Sequence, residues 1–339
     1  MRLIKTEDAV GHVLCHDMTQ IIKDQYKDAR FRKGHVVTEE DIPVLLSMGK
    51  EHLYVWEMTS GMVHENDAAE RLLALCGQEN MIRSGVKEGK IELKAACDGV
   101  FLVDSARLVA VNSQDEVMIA TRKGGMAVRE GDKLAGMRVI PLIIEEEKLR
   151  KVEQAAGDKP LLSLKPYVRK TACIVATGGE VKKGLIKDTF TPVVIDKLKT
   201  YGIETLEVVY SGDGVENVRD AVLAMREKKP DMILCTGGMS VDPDDNTPGG
   251  IKAAGANIIA YGAPVLPGAM FLLGYFDDGM PVMGLPGCVM YAGATVFDLV
   301  LPKIAADVPV TRADLAALGE GGLCLGCKPC HYPICPFGK

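Results

Sequence analysis

The chain has 339 residues, 47% of them hydrophobic and 25% charged, and its 40 basic and 46 acidic side chains leave a formal charge of −6. This length accommodates two or three domains with sizeable cores. Mild acidity without a dense Lys/Arg block argues against general nucleic-acid binding, although backbone N–H groups can still hold a small anion.

No apolar run reaches the roughly 18 residues of a membrane span. The opening "MRLIKTEDAV" places Lys5, Glu7 and Asp8 where a signal peptide needs an apolar stretch, so a cytoplasmic protein is expected. Cys15, Cys76, Cys97, Cys173, Cys235 and Cys288 are scattered, mostly among apolar neighbours, and read as buried thiols of a reducing compartment.

Residues 1–90 read as an α+β region. Thr38 followed by Glu39, Glu40 and Asp41 predicts a helix start with a hydroxyl cap, and Gly49 predicts its end. Tyr54 and Val55 predict a strand. "HENDAAERLLALCG" (64–77) spaces Ala68, Ala69, Leu72, Leu73 and Cys76 as one helical face, with His64 and Glu65 as capping residues and Gly77 as the stop. Residues 91–145 form a series of short β-like runs broken by Asp-Gly, Gly-Gly and Glu-Gly-Asp, which predicts a mostly-β module. Residues 146–170 read as a helical linker, whose charge a solvated face explains.

Residues 171–310 change pattern. "ACIVATGGE", "IETLEVVY", "DMILCTGG" and "PVMGLPG" read as strands, separated by the helices "LIKDTFTPVVIDKLKTYG" and "GVENVRDAVLAMREKKP" and followed by "CVMYAGATVFDLVLPKI". This alternation predicts an α/β fold, an open mostly parallel sheet with helices on both faces. In such sheets ligands bind beyond the carboxyl ends of the strands.

Three glycine loops fall at such ends: Thr177-Gly178-Gly179-Glu180, Thr236-Gly237-Gly238-Met239-Ser240, and Leu285-Pro286-Gly287-Cys288. Glycine lets backbone N–H groups approach an anion, and Thr177, Thr236 and Ser240 add hydroxyl donors. Neither Gly-x-Gly-x-x-Gly nor a P-loop is present. Asp242, Asp244 and Asp245 follow the second loop, where Asp245 or Asn246 would cap a helix starting at Thr247-Pro248. Carboxylates beside a phosphate call for a cation between them, and oxygen ligands suit Mg²⁺.

"TGGMSVDPDDNTP", "ATGGEVKKGLIKDTFTPVVIDKLKTYGIE" and "LPGCVMYAGATVFDLVLP" resemble, in order, three motifs of the molybdopterin-binding domain of molybdopterin adenylyltransferases, molybdotransferases and gephyrin. "EDAVGHVLCHDMTQI" resembles the start of the molybdotransferase class. The resemblance implies molybdopterin or its adenylylated form as ligand. Thr177, Gly178, Gly179, Glu180, Thr236, Gly237, Gly238, Ser240, Thr247, Pro286 and Gly287 would lie in the binding loops, and Asp245, with Mg²⁺, and Asp213 would be the catalytic acids. Ser240 matches the molybdotransferase form, which implies molybdate insertion with release of AMP, and a homodimer. Cys288 and Val289 depart from the Asn and Pro usual after Leu-Pro-Gly. That departure keeps a second reading open, a non-catalytic carrier or sensor of molybdopterin or of the finished cofactor.

Residues 311–339 form a Cys-rich tail. Cys324, Cys327, Cys330 and Cys335 are spaced C-x2-C-x2-C-x4-C with Pro336 following. That run is one residue longer than a bacterial iron–sulfur spacing and also suits four-thiolate Zn²⁺ or a thiol relay.

Overall fold

The computed structural model describes residues 2–22, 26–55, 61–240 and 245–339; Asp242 and Asp244 lie outside the described residues. The chain divides into two compact units. One comprises residues 1–96, 103–124 and 131–163, and the other residues 97–102, 125–130 and 164–339. Among the described residues, no helix is long and apolar enough to cross a membrane.

The first unit is built from short antiparallel strands. Arg2–Lys5 pairs with His52–Val55, and Met81–Arg83, Ile91–Ala95, Lys133–Val139 and Val117–Thr121 form a four-stranded sheet. The helix Glu65–Cys76 buries Ala68, Ala69, Leu72, Leu73 and Cys76, the face its spacing predicts, and the His64 ring accepts the Asn66 N–H. Two local expectations change. Within the β-like stretch, Ser105–Asn112 is a helix, because the Asp104 carboxylate accepts the Arg107 N–H and caps its first turn. Thr38 does not cap the helix Asp41–Ser47; its amide and hydroxyl both donate to the Asp41 carboxylate at 2.8 Å. The charged helix Glu146–Ala156 buries Leu149, Val152 and Ala156, and its Glu146 and Glu153 bracket Arg71 at 2.8 and 2.7 Å.

The second unit carries the sheet of interest. Its strands are β1 (Thr171–Thr177), β2 (Glu204–Ser211), β3 (Met232–Thr236), β4 (Asn257–Tyr261), β5 (Leu272–Tyr275) and β6 (Pro281–Leu285). Its helices are α1 (Gly179–Lys182), α2 (Phe190–Lys199), α3 (Val215–Glu227), α4 (Thr247–Ala253), α5 (Val296–Ala305) and α6 (Arg312–Ala317). The strand order is β2-β1-β3-β6-β5-β4. The first four strands are parallel, and β5 and β4 extend the sheet antiparallel.

Successive side chains of a strand point to opposite faces, so β1 and β3 feed two cores. Ala172, Ile174, Met232 and Leu234 pack with Val194 and Leu198 of α2 and Phe297 and Leu301 of α5. Cys173, Val175, Ile233 and Cys235 pack with Val218, Val222 and Met225 of α3 and Ile251 of α4. Both faces being covered explains why these strands read as unbroken apolar runs. Burial pushes the Cys235 thiol up to about 12, which makes it an inert core residue.

The helix after β6 begins later than its apolar run predicts. Gly287–Met290 forms a tight 3₁₀ turn, and α5 starts only at Val296. Thr295 sets that start, because its hydroxyl accepts the Phe297 N–H while Asp298 accepts the Thr295 N–H.

Candidate functional site

The parallel strands β1, β3 and β6 end together at one edge, and their three loops lie side by side there. Thr177, Thr236 and Thr247 are almost fully buried. The Thr177 hydroxyl donates to the Thr236 carbonyl at 3.0 Å, the Thr247 hydroxyl donates to the Gly237 carbonyl at 2.9 Å, and the two hydroxyl oxygens stand 3.0 Å apart. Two protons thus serve three contacts, and the first loop, the second loop and the start of α4 are tied in one knot. The Thr177 hydroxyl is therefore engaged between loops in this structure. The hydroxyl of Ser240 belongs to the exposed part of the second loop.

The glycines make this knot possible. A Cβ on Gly237 would meet the Thr177 carbonyl oxygen at 2.3 Å, and one on Gly238 would meet the Thr247 hydroxyl at 2.6 Å. Both residues have positive φ, +82° and +56°, where glycine alone is unstrained.

The two acids hold loop amides. Asp213, after β2, accepts the Gly179 N–H at 3.0 Å, and Asp245 accepts the Ser240 N–H at 3.0 Å. In each, Oδ2 is the oxygen engaged; no hydrogen bond reaches the other carboxylate oxygen among the described residues. The loops bearing Asp213 and Asp245 lead into α3 and α4, which pack against each other through Gly249 and Gly250, where a Cβ would meet Val215 and Val218 at 3.0 and 2.4 Å. Pro286 and Gly287 end β6 beside β3 and open the 3₁₀ turn. Of Glu180, the backbone lies in α1 and the side chain lies outside the described residues.

Three contributions escaped the sequence reading. Tyr261, at the end of β4, donates its hydroxyl to the carbonyls of Met239 and Ser240 at 2.9 and 3.3 Å. Burial and the charge of Asp245 push its phenol up, so it remains a donor. No sequence signal links an antiparallel strand to a loop some twenty residues before it. Asp188 accepts the Phe190 and Thr191 N–H groups at 2.9 and 3.0 Å and starts α2. Burial alone would raise its carboxyl, but these hydrogen bonds hold it below the ordinary value. Lys182, Lys183 and Lys187 are exposed on the segment after the first loop, a basic run legible in "EVKKGLIK".

The tail cysteines are placed elsewhere. Cys324, Cys327, Cys330 and Cys335 line one cavity against the core of the second unit, and none of them lies in the three loops.

An open, mostly parallel sheet with glycine loops and carboxylates at its carboxyl edge is the kind of α/β arrangement at whose strand ends small molecules bind. Residues 173–306 match the family model described as "Probable molybdopterin binding domain". Residues 3–57 match a second model, described as a domain of unknown function.

A CinA-like protein of Mycobacterium tuberculosis is 33% identical over 76 residues, 22% of this chain and 18% of that protein. A CinA-like protein of Petrotoga mobilis is 32% identical over 76 residues. The chain thus spans about a fifth of the length of the curated relatives it matches, 18% for the first of them. Among solved structures, the molybdopterin biosynthesis Mog protein of Mycobacterium ulcerans shares 24% identity with a TM-score of 0.34, covering 41% of this chain and 93% of that one. A molybdenum cofactor biosynthesis protein from Pyrococcus furiosus shares 13% identity with a TM-score of 0.27, covering 93% of this chain and 64% of that one.

Proposed function

We propose that this protein acts in molybdenum cofactor biosynthesis, binding adenylylated molybdopterin and inserting molybdate with release of AMP. The observation that carries the reading is the pair Asp213 and Asp245, each holding a loop amide through one oxygen and leaving the other without a hydrogen bond among the described residues. Mg²⁺ binds through one or two carboxylates and completes its octahedron with water and substrate phosphate, so it needs no preformed cage.

The loop amides and the exposed Lys182, Lys183 and Lys187 would hold the phosphate, Ser240 would donate to the bound molecule, and Tyr261 would fix the second loop. Bound Mg²⁺ would neutralise phosphate charge as the anhydride breaks. The functional form is a homodimer in this reading, which light scattering on the purified chain checks.

The test follows AMP release from adenylylated molybdopterin with Mg²⁺ and molybdate. Asp245→Asn keeps an oxygen to accept the Ser240 N–H and removes only the charge. It should slow release by about a hundredfold or more, the scale of lost charge stabilisation. Full activity in Asp245→Asn would sink the assignment of this residue. Tight binding without AMP in the unaltered protein would make it a carrier or sensor.

A further inference from the structure

The cavity of the tail is a feature of the second unit that the glycine loops do not account for. Its volume is about 360 Å³, and all four tail cysteines line it together with Tyr291 and Gly293. What sets this pocket apart from an ordinary surface depression is that all four cysteines of the tail line it.

The tail is fastened around it. The Cys324 N–H donates to the Leu266 carbonyl at 2.8 Å, and the Gly338 N–H donates to the Gly321 carbonyl at 3.0 Å. The Tyr332 hydroxyl donates to the Asp298 carbonyl at 3.0 Å, and Phe337 is buried in the core. Cys324 and Cys335 pack on that core, while Cys327 and Cys330 are exposed. Gly293 allows the far wall to close, since a Cβ there would lie 2.9 Å from the Cys330 sulfur. All four thiols are free of disulfides.

Four thiolates suit a tetrahedral Zn²⁺ or a cubane cluster, in which each thiolate sits on its own iron. The spacing C-x2-C-x2-C-x4-C with Pro336 directly after it is one residue longer than the bacterial iron–sulfur run, which favours the cluster. In two-cluster proteins the fourth cysteine of the related run serves the other cluster; here all four residues line one cavity.

We propose that the cavity holds a [4Fe–4S] cluster ligated by Cys324, Cys327, Cys330 and Cys335. This is independent of what the glycine loops bind. The experiment is anaerobic reconstitution of the full chain with iron and sulfide, followed by metal and sulfide analysis, visible absorption, and electron paramagnetic resonance after dithionite. The expected result is about four iron and about four sulfide per chain with a reducible cluster signal. Cys327→Ser and Cys330→Ser, both at exposed positions, should each lose most of the iron while keeping the circular dichroism of the parent. Cys97→Ser, outside the tail, should keep it. One zinc per chain, a colourless iron-free protein, or serine variants that load as fully as the parent would each overturn the assignment.

Discussion

Replacing Thr247 by valine tests whether the loop knot holds the site together. The side chain keeps its shape and loses one hydroxyl in a position that is 1% exposed. That hydroxyl gives its proton to the Gly237 carbonyl and stands 3.0 Å from the Thr177 hydroxyl. A buried acceptor left without its donor costs about 1–3 kcal/mol. Taking about 2 kcal/mol, the opening equilibrium of the α/β unit should rise about 30-fold. The sole tryptophan, Trp56, belongs to the N-terminal part of the sequence, so its fluorescence is the wrong probe. Native-state hydrogen exchange read by mass spectrometry on peptides from β1 and β3 reports on the unit itself.

Thr177→Val removes the other proton and should cost a similar amount through the Thr236 carbonyl. Because the two hydroxyls share a contact, the double variant should be less destabilised than the sum of the singles, by about 0.5–1 kcal/mol. If Thr247→Val exchanged like the parent, or if the two effects simply added, the knot would not be an energetic unit and the reasoning would fail.

Gly237→Ala should be worse than either valine, because it combines a positive φ with a backbone overlap; unfolding of the unit should shift by more than about 2 kcal/mol, measured the same way. Tyr261→Phe removes the donor to Met239 and Ser240 and should loosen residues 239–240, giving faster exchange there with about 1 kcal/mol or less of global cost. Asp231 gives a pH prediction. Burial alone would raise its carboxyl, but the Lys170 and Thr171 amides and the Thr171 hydroxyl, at 2.6–2.9 Å, hold it below its ordinary 3.8. Its stabilisation is therefore present above 3.8 and is lost as pH falls through the lower folded value. Asp231→Asn should be less stable than the parent at pH 6, and the gap should narrow by pH 2–3 in thermal melts; a gap independent of pH would refute the account.

Much of the α/β unit was written in local sequence. Unbroken apolar strands with helical runs between them specify a parallel sheet, and strand-end glycines specify where a ligand can approach, because both follow from periodicity and steric freedom over a few residues. Asp104, Thr295 and Asp298 were legible as residues, yet their capping roles depend on which amide each side chain reaches. The helix at Ser105–Asn112 and the late start of α5 were therefore missed. The strands β4 and β5 add antiparallel pairs that no local repeat announces.

The sequence by itself determined the alternation of parallel strands and helices in the α/β unit, the positions of the glycine loops, the acids beside them and the spacing of four tail cysteines. Only the tertiary structure decided which groups meet. It turned the Thr177 and Thr247 hydroxyls into a clamp between loops, brought Tyr261 to the second loop, and brought the four tail cysteines to the lining of one cavity. The physical reason is range. Helix, strand and turn preferences act over a few neighbouring residues, whereas a hydrogen bond between residues 177 and 247 depends on sheet register and on helices packed across both faces.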